Sequence, residues 1–121
     1  MEALSREAIL KRGDLEVQEL EVPEWGGCVF LRPMSGAQRD EFEQLAMERR
    51  SGQSVDIRGL KVKLVCASVC NAEGKLLFAG NDDEKKLNEK SASAINRIFQ
   101  AAARLNGLTE EDIQEIAENL Q

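Results

Sequence analysis

The spacing of apolar residues changes period along the chain, and each change marks an element. Over residues 15–22 (LEVQELEV) apolar and polar positions nearly alternate, and after PEWGG comes a second run rich in β-formers, CVFLR. Two such runs joined by a short, turn-prone stretch predict a β-hairpin. Within the join, Pro23 fixes its own φ, and Gly26 and Gly27 tolerate positive φ, as a five-residue hairpin loop requires. Pro33 ends the second strand. From there the period becomes helical: Ser35 and Gln38 make a capping box, and Phe42, Leu45 and Ala46 follow on one face through Arg50.

Residues 57–69 are apolar nearly all round, through Ile57, Leu60, Val62, Leu64, Val65, Cys66, Ala67 and Val69. This predicts a helix buried in the core, capped by Ser54 or Asp56. A turn over residues 71–74 leads to a short extended piece at 75–78, and Asn81 or Asp82 caps a small helix ending near Leu87. Ser91 caps a helix whose stripe is Ile95, Ile98, Phe99, Ala102 and Leu105, with Arg97 and Arg104 opposite and Gly107 as the stop. Thr109 and Asp112 repeat the capping box and open a last helix with Ile113, Ile116, Ala117 and Leu120 inward. Near the start, Ser5 caps a short helix that stops by Gly13. The expectation is a single α+β domain over residues 1–121, an N-terminal β-hairpin packed with about four helices and mostly helical. Its core contains Phe42, Leu45, Leu64, Val65, Ile95, Phe99, Ile113 and Ile116.

Composition sharpens this picture. With 121 residues, 42% apolar and 31% charged, the chain can bury one modest core. One Trp, four Phe and no Tyr leave that core to aliphatic residues. The net charge of −6 disfavours a nucleic-acid partner, whose affinity is largely cation-driven. Three cysteines, an odd number, read as reduced thiols of an intracellular protein, and no apolar run has the length of a membrane span.

No catalytic residue, cofactor site or metal site is expected. Histidine, the commonest general base and metal ligand, is absent. Cys66 and Cys70 stand four apart on a predicted helix, but Cys28 is the only other thiol, so four ligands cannot be assembled; small buried hydrophobes is the simpler reading. Gly26-Gly27 and the glycines at 52 and 59 lack phosphate-loop spacing. The candidates that remain are for partner binding. Trp25, the lone tryptophan, sits at the hairpin tip. Glu111 and Glu115 stand among five carboxylates of residues 107–121, a stretch with no Lys or Arg. The next place to look is a basic edge of Arg49, Arg50, Arg58 and Lys61.

The order VPEWGG, LRPMSGAQRDEFE, KLVCASVCNAEGKLLF and EKSASAINRIFQAAARLNGLTEEDIQE resembles the tail assembly chaperones of long, non-contractile-tailed phages and prophages. The resemblance spans nearly the whole chain, and VPEWGG combined with LNGLTEED carries most of it. The chain departs from the pattern in its cysteines and in Asn106, where a small residue such as serine is expected. The resemblance implies a non-enzymatic protein of the bacterial host cytoplasm that binds the tape measure protein, helps recruit the major tail protein and is absent from the finished virion. It supplies no binding residues position by position. The alternative is a tail-completion or head-tail joining protein of similar size that stays in the particle. A small enzyme is disfavoured by the missing histidine and phosphate loop.

Overall fold

The computed structural model describes residues 1–50, 58–80 and 82–118, with the side chains of these except at 46–50, 58 and 115–118. The predicted hairpin is present, with β1 (Gln18–Val22) and β2 (Gly27–Leu31) antiparallel in a register running from Gln18 opposite Leu31 to Val22 opposite Gly27. Residues 15–17 lie outside the first strand. Pro23–Trp25 form a single 3-10 turn whose last link is the Gly26 amide donating to the Pro23 carbonyl at 3.1 Å. Of the two glycines only Gly26 takes positive φ, +68°; Gly27 is already extended and begins β2.

Sequence reasoning missed the third strand. The apolar run over residues 57–69 is helical as α3 (Arg58–Ser68), but Val69–Cys70 leave the helix as β3, antiparallel to β2 with Leu31 opposite Val69 and Phe30 opposite Cys70. Two long-range hydrogen bonds explain the switch. The Arg32 amide donates to the Ser68 carbonyl at 2.9 Å, and the Leu77 amide donates to the Val69 carbonyl at 3.1 Å. Backbone groups that a helix would use are thus taken by neighbours on both sides, and β-branched Val69 accepts the extended conformation. Cys66 and Cys70 therefore do not share a helix face. The turn after β3 is held by Asn71, whose side-chain oxygen accepts from the amides of Glu73 and Lys75.

The helix signals largely hold. In α2 (Gly36–Arg50) the capping box is reciprocal: the Gln38 amide donates to Ser35 Oγ at 3.3 Å, and the Ser35 amide to Gln38 Oε1 at 2.9 Å. Ser91 caps α5 (Ala92–Leu105) through the Ala94 amide. That helix ends in a Schellman motif, in which the Leu108 amide reaches Ala103 O and the Gly107 amide, at φ +74°, reaches Arg104 O. Thr109 and Asp112 box the start of α6 (Glu110–Glu118). Two short helices complete the set: α1 (Arg6–Lys11), capped by Ser5, and α4 (Asp83–Leu87), preceded by Asp82 without a side-chain cap bond. The expected caps Ser54, Asp56 and Asn81 lie outside the described residues.

One cluster of buried side chains joins these elements. Leu60, Leu64 and Val65 of α3 meet Ile95, Ile98 and Phe99 of α5; Val22, Leu31, Phe42, Leu87 and Ile113 close it from the sheet, α2, α4 and α6. Leu45 is half-buried against it, and the Ile116 side chain lies outside the described residues. Each fully buried aliphatic or Phe side chain contributes on the order of 1.5–3 kcal/mol. By contrast α1 buries nothing: its Ile9 and Leu10 are exposed, as is Leu4 just before it.

Candidate binding site

The stripe of α5 opposite its buried face carries Ser93, Arg97, Gln100 and Arg104, spaced four, three and four residues apart and so aligned along one side. Between this stripe and Leu20 of β1 runs a groove of about 410 Å³, with Asn96 and Ala101 also in its wall. A carboxylate binds the stripe near each of its ends. At the hairpin end Glu24 accepts from Arg97 Nε at 2.8 Å and from Ser93 Oγ at 2.6 Å. At the other end Glu110 accepts from Arg104 Nε at 2.9 Å. Sequence reasoning saw Arg97 and Arg104 only as the polar side of a helix, because their partners lie across the fold.

These contacts set the electrostatics. The Arg97 guanidinium, followed by the Ser93 hydroxyl, holds Glu24 charged, lowering its pKa from an ordinary 4.5 to about 2. Hydrogen bonding to Arg104 likewise lowers Glu110. The tether on Glu24 fixes the 3-10 turn against α5 and determines where the next residue goes.

Trp25 is 41% exposed. Its ring lies along a cleft of about 300 Å³ that it shares with Phe78, Leu87 and the stems of Lys86 and Lys90. Glu111, on the first turn of α6, is exposed, while the side chain of Glu115 lies outside the described residues. Trp25 and Glu111 therefore do not form one compact patch. They stand beyond opposite ends of the α5 stripe, and from Ser93 to Arg104 the helix rises roughly 16 Å at about 1.5 Å per residue. The groove runs between them.

Two expectations need correction. The carboxylates of the acidic end are not all uncompensated, since Glu110 is paired with Arg104, and Asp112 accepts from the Thr109 amide. The suggested basic edge also loses Lys61, which turns inward, its ammonium 5.5 Å from the Phe99 ring centre and donating to Asn96 Oδ1 at 3.2 Å. Burial lowers the pKa of that amine. The side chains of Arg49, Arg50 and Arg58 lie outside the described residues.

Asn106 matters in a way its sequence position did not reveal. Its side-chain oxygen accepts from the Met34 amide at 2.7 Å, its amide nitrogen donates to Ala102 O at 2.8 Å, and its backbone carbonyl accepts from Arg39 Nη1 at 2.6 Å. One residue thereby ties the link between β2 and α2 to the end of α5. Asn followed by Gly at a helix end was the only local hint.

Among the described residues no three His, Cys, Asp or Glu side chains are grouped to hold a metal ion. Cys66 and Cys70 are buried, and Cys28 is exposed. No described helix is long and apolar enough to cross a membrane.

The three-stranded antiparallel sheet and the mostly helical layer backing it give this chain a fold like that of a solved phage tail assembly chaperone. In particular, the chain is similar to the tail assembly chaperone of bacteriophage HK97, with a TM-score of 0.56 and 21% identity over 83% of this chain and 86% of that one. No family model matches the sequence, and no curated protein is significantly similar to it.

Proposed function

We propose that this protein is a non-enzymatic tail assembly chaperone: it binds the tape measure protein, helps recruit the major tail protein in the bacterial cytoplasm, and leaves before the virion is complete. The observation that carries this reading is the shared fold, which extends over most of both chains despite low identity. The surface fits the role. Trp25 offers a large aromatic anchor on a turn held rigid by Glu24, Ser93 and Arg97, so little ordering opposes binding. Glu111 on α6 adds acidic character that speeds encounter with basic stretches of a partner, and Glu115 on the same helix belongs to the same proposed surface. The groove along α5 lies between the two.

The test is co-expression with the tape measure and major tail proteins of the same gene cluster, followed by affinity capture. Recovery of either in stoichiometric amount, reduced by Trp25→Ala at unchanged melting temperature, supports the reading. Recovery of neither overturns it.

A further inference from the structure

β1 is an edge strand. It pairs with β2 on one side only, and among the described residues no backbone hydrogen bond joins Gln18–Val22 to anything else. A row of unmet amide and carbonyl groups on an exposed edge is a template for another strand. Natural edges are commonly shielded by a covering element. Here α5 packs against β1 with the groove of about 410 Å³ between its outer stripe and Leu20, and among the described residues no element pairs with the β1 edge. The dimensions agree: five residues of strand span roughly 17 Å at about 3.3 Å each, and the α5 stripe from Ser93 to Arg104 is roughly 16 Å long.

The two faces of β1 state what an added strand must look like. Leu20 faces the groove and Val22 the core, whereas Glu19 and Glu21 stand exposed on the opposite face. A strand beside β1 puts alternate side chains next to Leu20 and the others next to Glu19 and Glu21, within the distance at which cross-strand pairs attract or repel. An apolar residue suits the position beside Leu20, where the facing α5 wall is otherwise largely polar, and lysine or arginine suits the second set. A second copy pairing β1 with β1 about Leu20 would instead oppose Glu19 to Glu21 twice, a like-charge arrangement that disfavours self-association at this edge.

We propose that β1 is a strand-addition site, taking an extended segment of a partner protein in which apolar and basic residues alternate, laid over the groove between β1 and α5. The inference rests on the chaperone reading for who the partner is, but its chemistry comes from β1 alone.

The test uses the full chain and a capped heptapeptide alternating lysine with valine, titrated by NMR at low salt. The peptide is expected to perturb the amides of Gln18–Val22 and slow their hydrogen exchange. A glutamate-valine counterpart should bind at least tenfold more weakly, and the double variant Glu19→Lys, Glu21→Lys should invert that preference. N-methylating the alternate peptide amides that face β1 should abolish binding, while methylating the other set should not. Equal binding of both methylated forms, perturbation confined to other elements, or protection of the same amides by self-association without peptide each overturns the proposal. The two readings fail separately: capture of tail proteins by a chain whose β1 ignores the peptide removes strand addition and leaves the chaperone, and peptide binding without capture does the reverse.

Discussion

Asn106→Ala removes one side chain from both ends of a cross-fold link. In the wild type Oδ1 satisfies the Met34 amide at 2.7 Å and Nδ2 satisfies Ala102 O at 2.8 Å, both partly buried. Alanine leaves the Met34 N–H without its partner beside a buried side chain, and an unmet buried amide costs about 1–3 kcal/mol, more than the net value of the bond itself. The Ala102 carbonyl keeps the Asn106 backbone amide as donor, so its loss adds little. The total comes to about 1.5–3 kcal/mol. With an unfolding entropy of about 2.1 cal/mol/K per residue, this lowers the melting temperature by roughly 6–12 °C. Asn106→Asp is the discriminating variant. It keeps the acceptor for Met34 but turns a second oxygen towards Ala102 O and places a negative charge at the C-terminal end of α5, so it should be destabilised at pH 7 and recover in part once acid protonates it. Calorimetry or thermal circular dichroism of the three proteins at pH 7 and pH 4 reads both effects. Melting of Asn106→Ala within about 2 °C of wild type would refute the reasoning.

Other outcomes follow from the same structure. Phe99 is fully buried beneath Lys61, so Phe99→Ala should cost about 3–5 kcal/mol and lower the melting temperature by roughly 12–20 °C, measured by thermal unfolding; a shift of a degree or two would mean that this face of α5 is not core. Glu24 has its pKa depressed to about 2 in the folded state, so its contribution is fully present above about pH 4.5 and is lost as pH falls towards 2. The melting-temperature gap between wild type and Glu24→Gln should therefore be constant near neutrality and close across that window; a gap unchanged at pH 2 contradicts the clamp. Burial pushes Cys66 up to about 11 and raises Cys70; Cys28 is raised too, chiefly by its interaction with the Glu19 carboxylate, but it alone of the three is exposed. Mass spectrometry after iodoacetamide at pH 8 should find Cys28 modified first and the other two only on unfolding. Replacing all three by Ser or Ala, or adding a chelator, should leave the fold in place by circular dichroism.

How much of this was legible depends on how far each determinant reaches. Capping at Ser5, Ser35, Ser91 and Thr109 was readable because donor and acceptor lie three residues apart. The hairpin was readable because alternation and a Pro-Gly turn are local signals. The strand at Val69–Cys70 was not, since a two-residue extension of an apolar helix is decided by Arg32 and Leu77 arriving from elsewhere. The same limit hid the groove. Arg97 and Arg104 announced a polar side of the helix, but Glu24, which accepts from Arg97 and Ser93, lies about seventy residues away in sequence. Trp25 was identifiable as a candidate from its uniqueness and its turn; that it opens on a cleft with Phe78 and Leu87 required the position of α4.

The claim that the chain serves assembly and then departs is tested most directly by deleting its gene from the genome that encodes it and complementing from a plasmid. The account predicts filled heads without tails in the deletion, complete tails on complementation, and purified virions containing far less than one copy of the chain by quantitative mass spectrometry. Normal tails in its absence, or several copies retained in every virion, would contradict it, and the second result would make it a structural part of the tail.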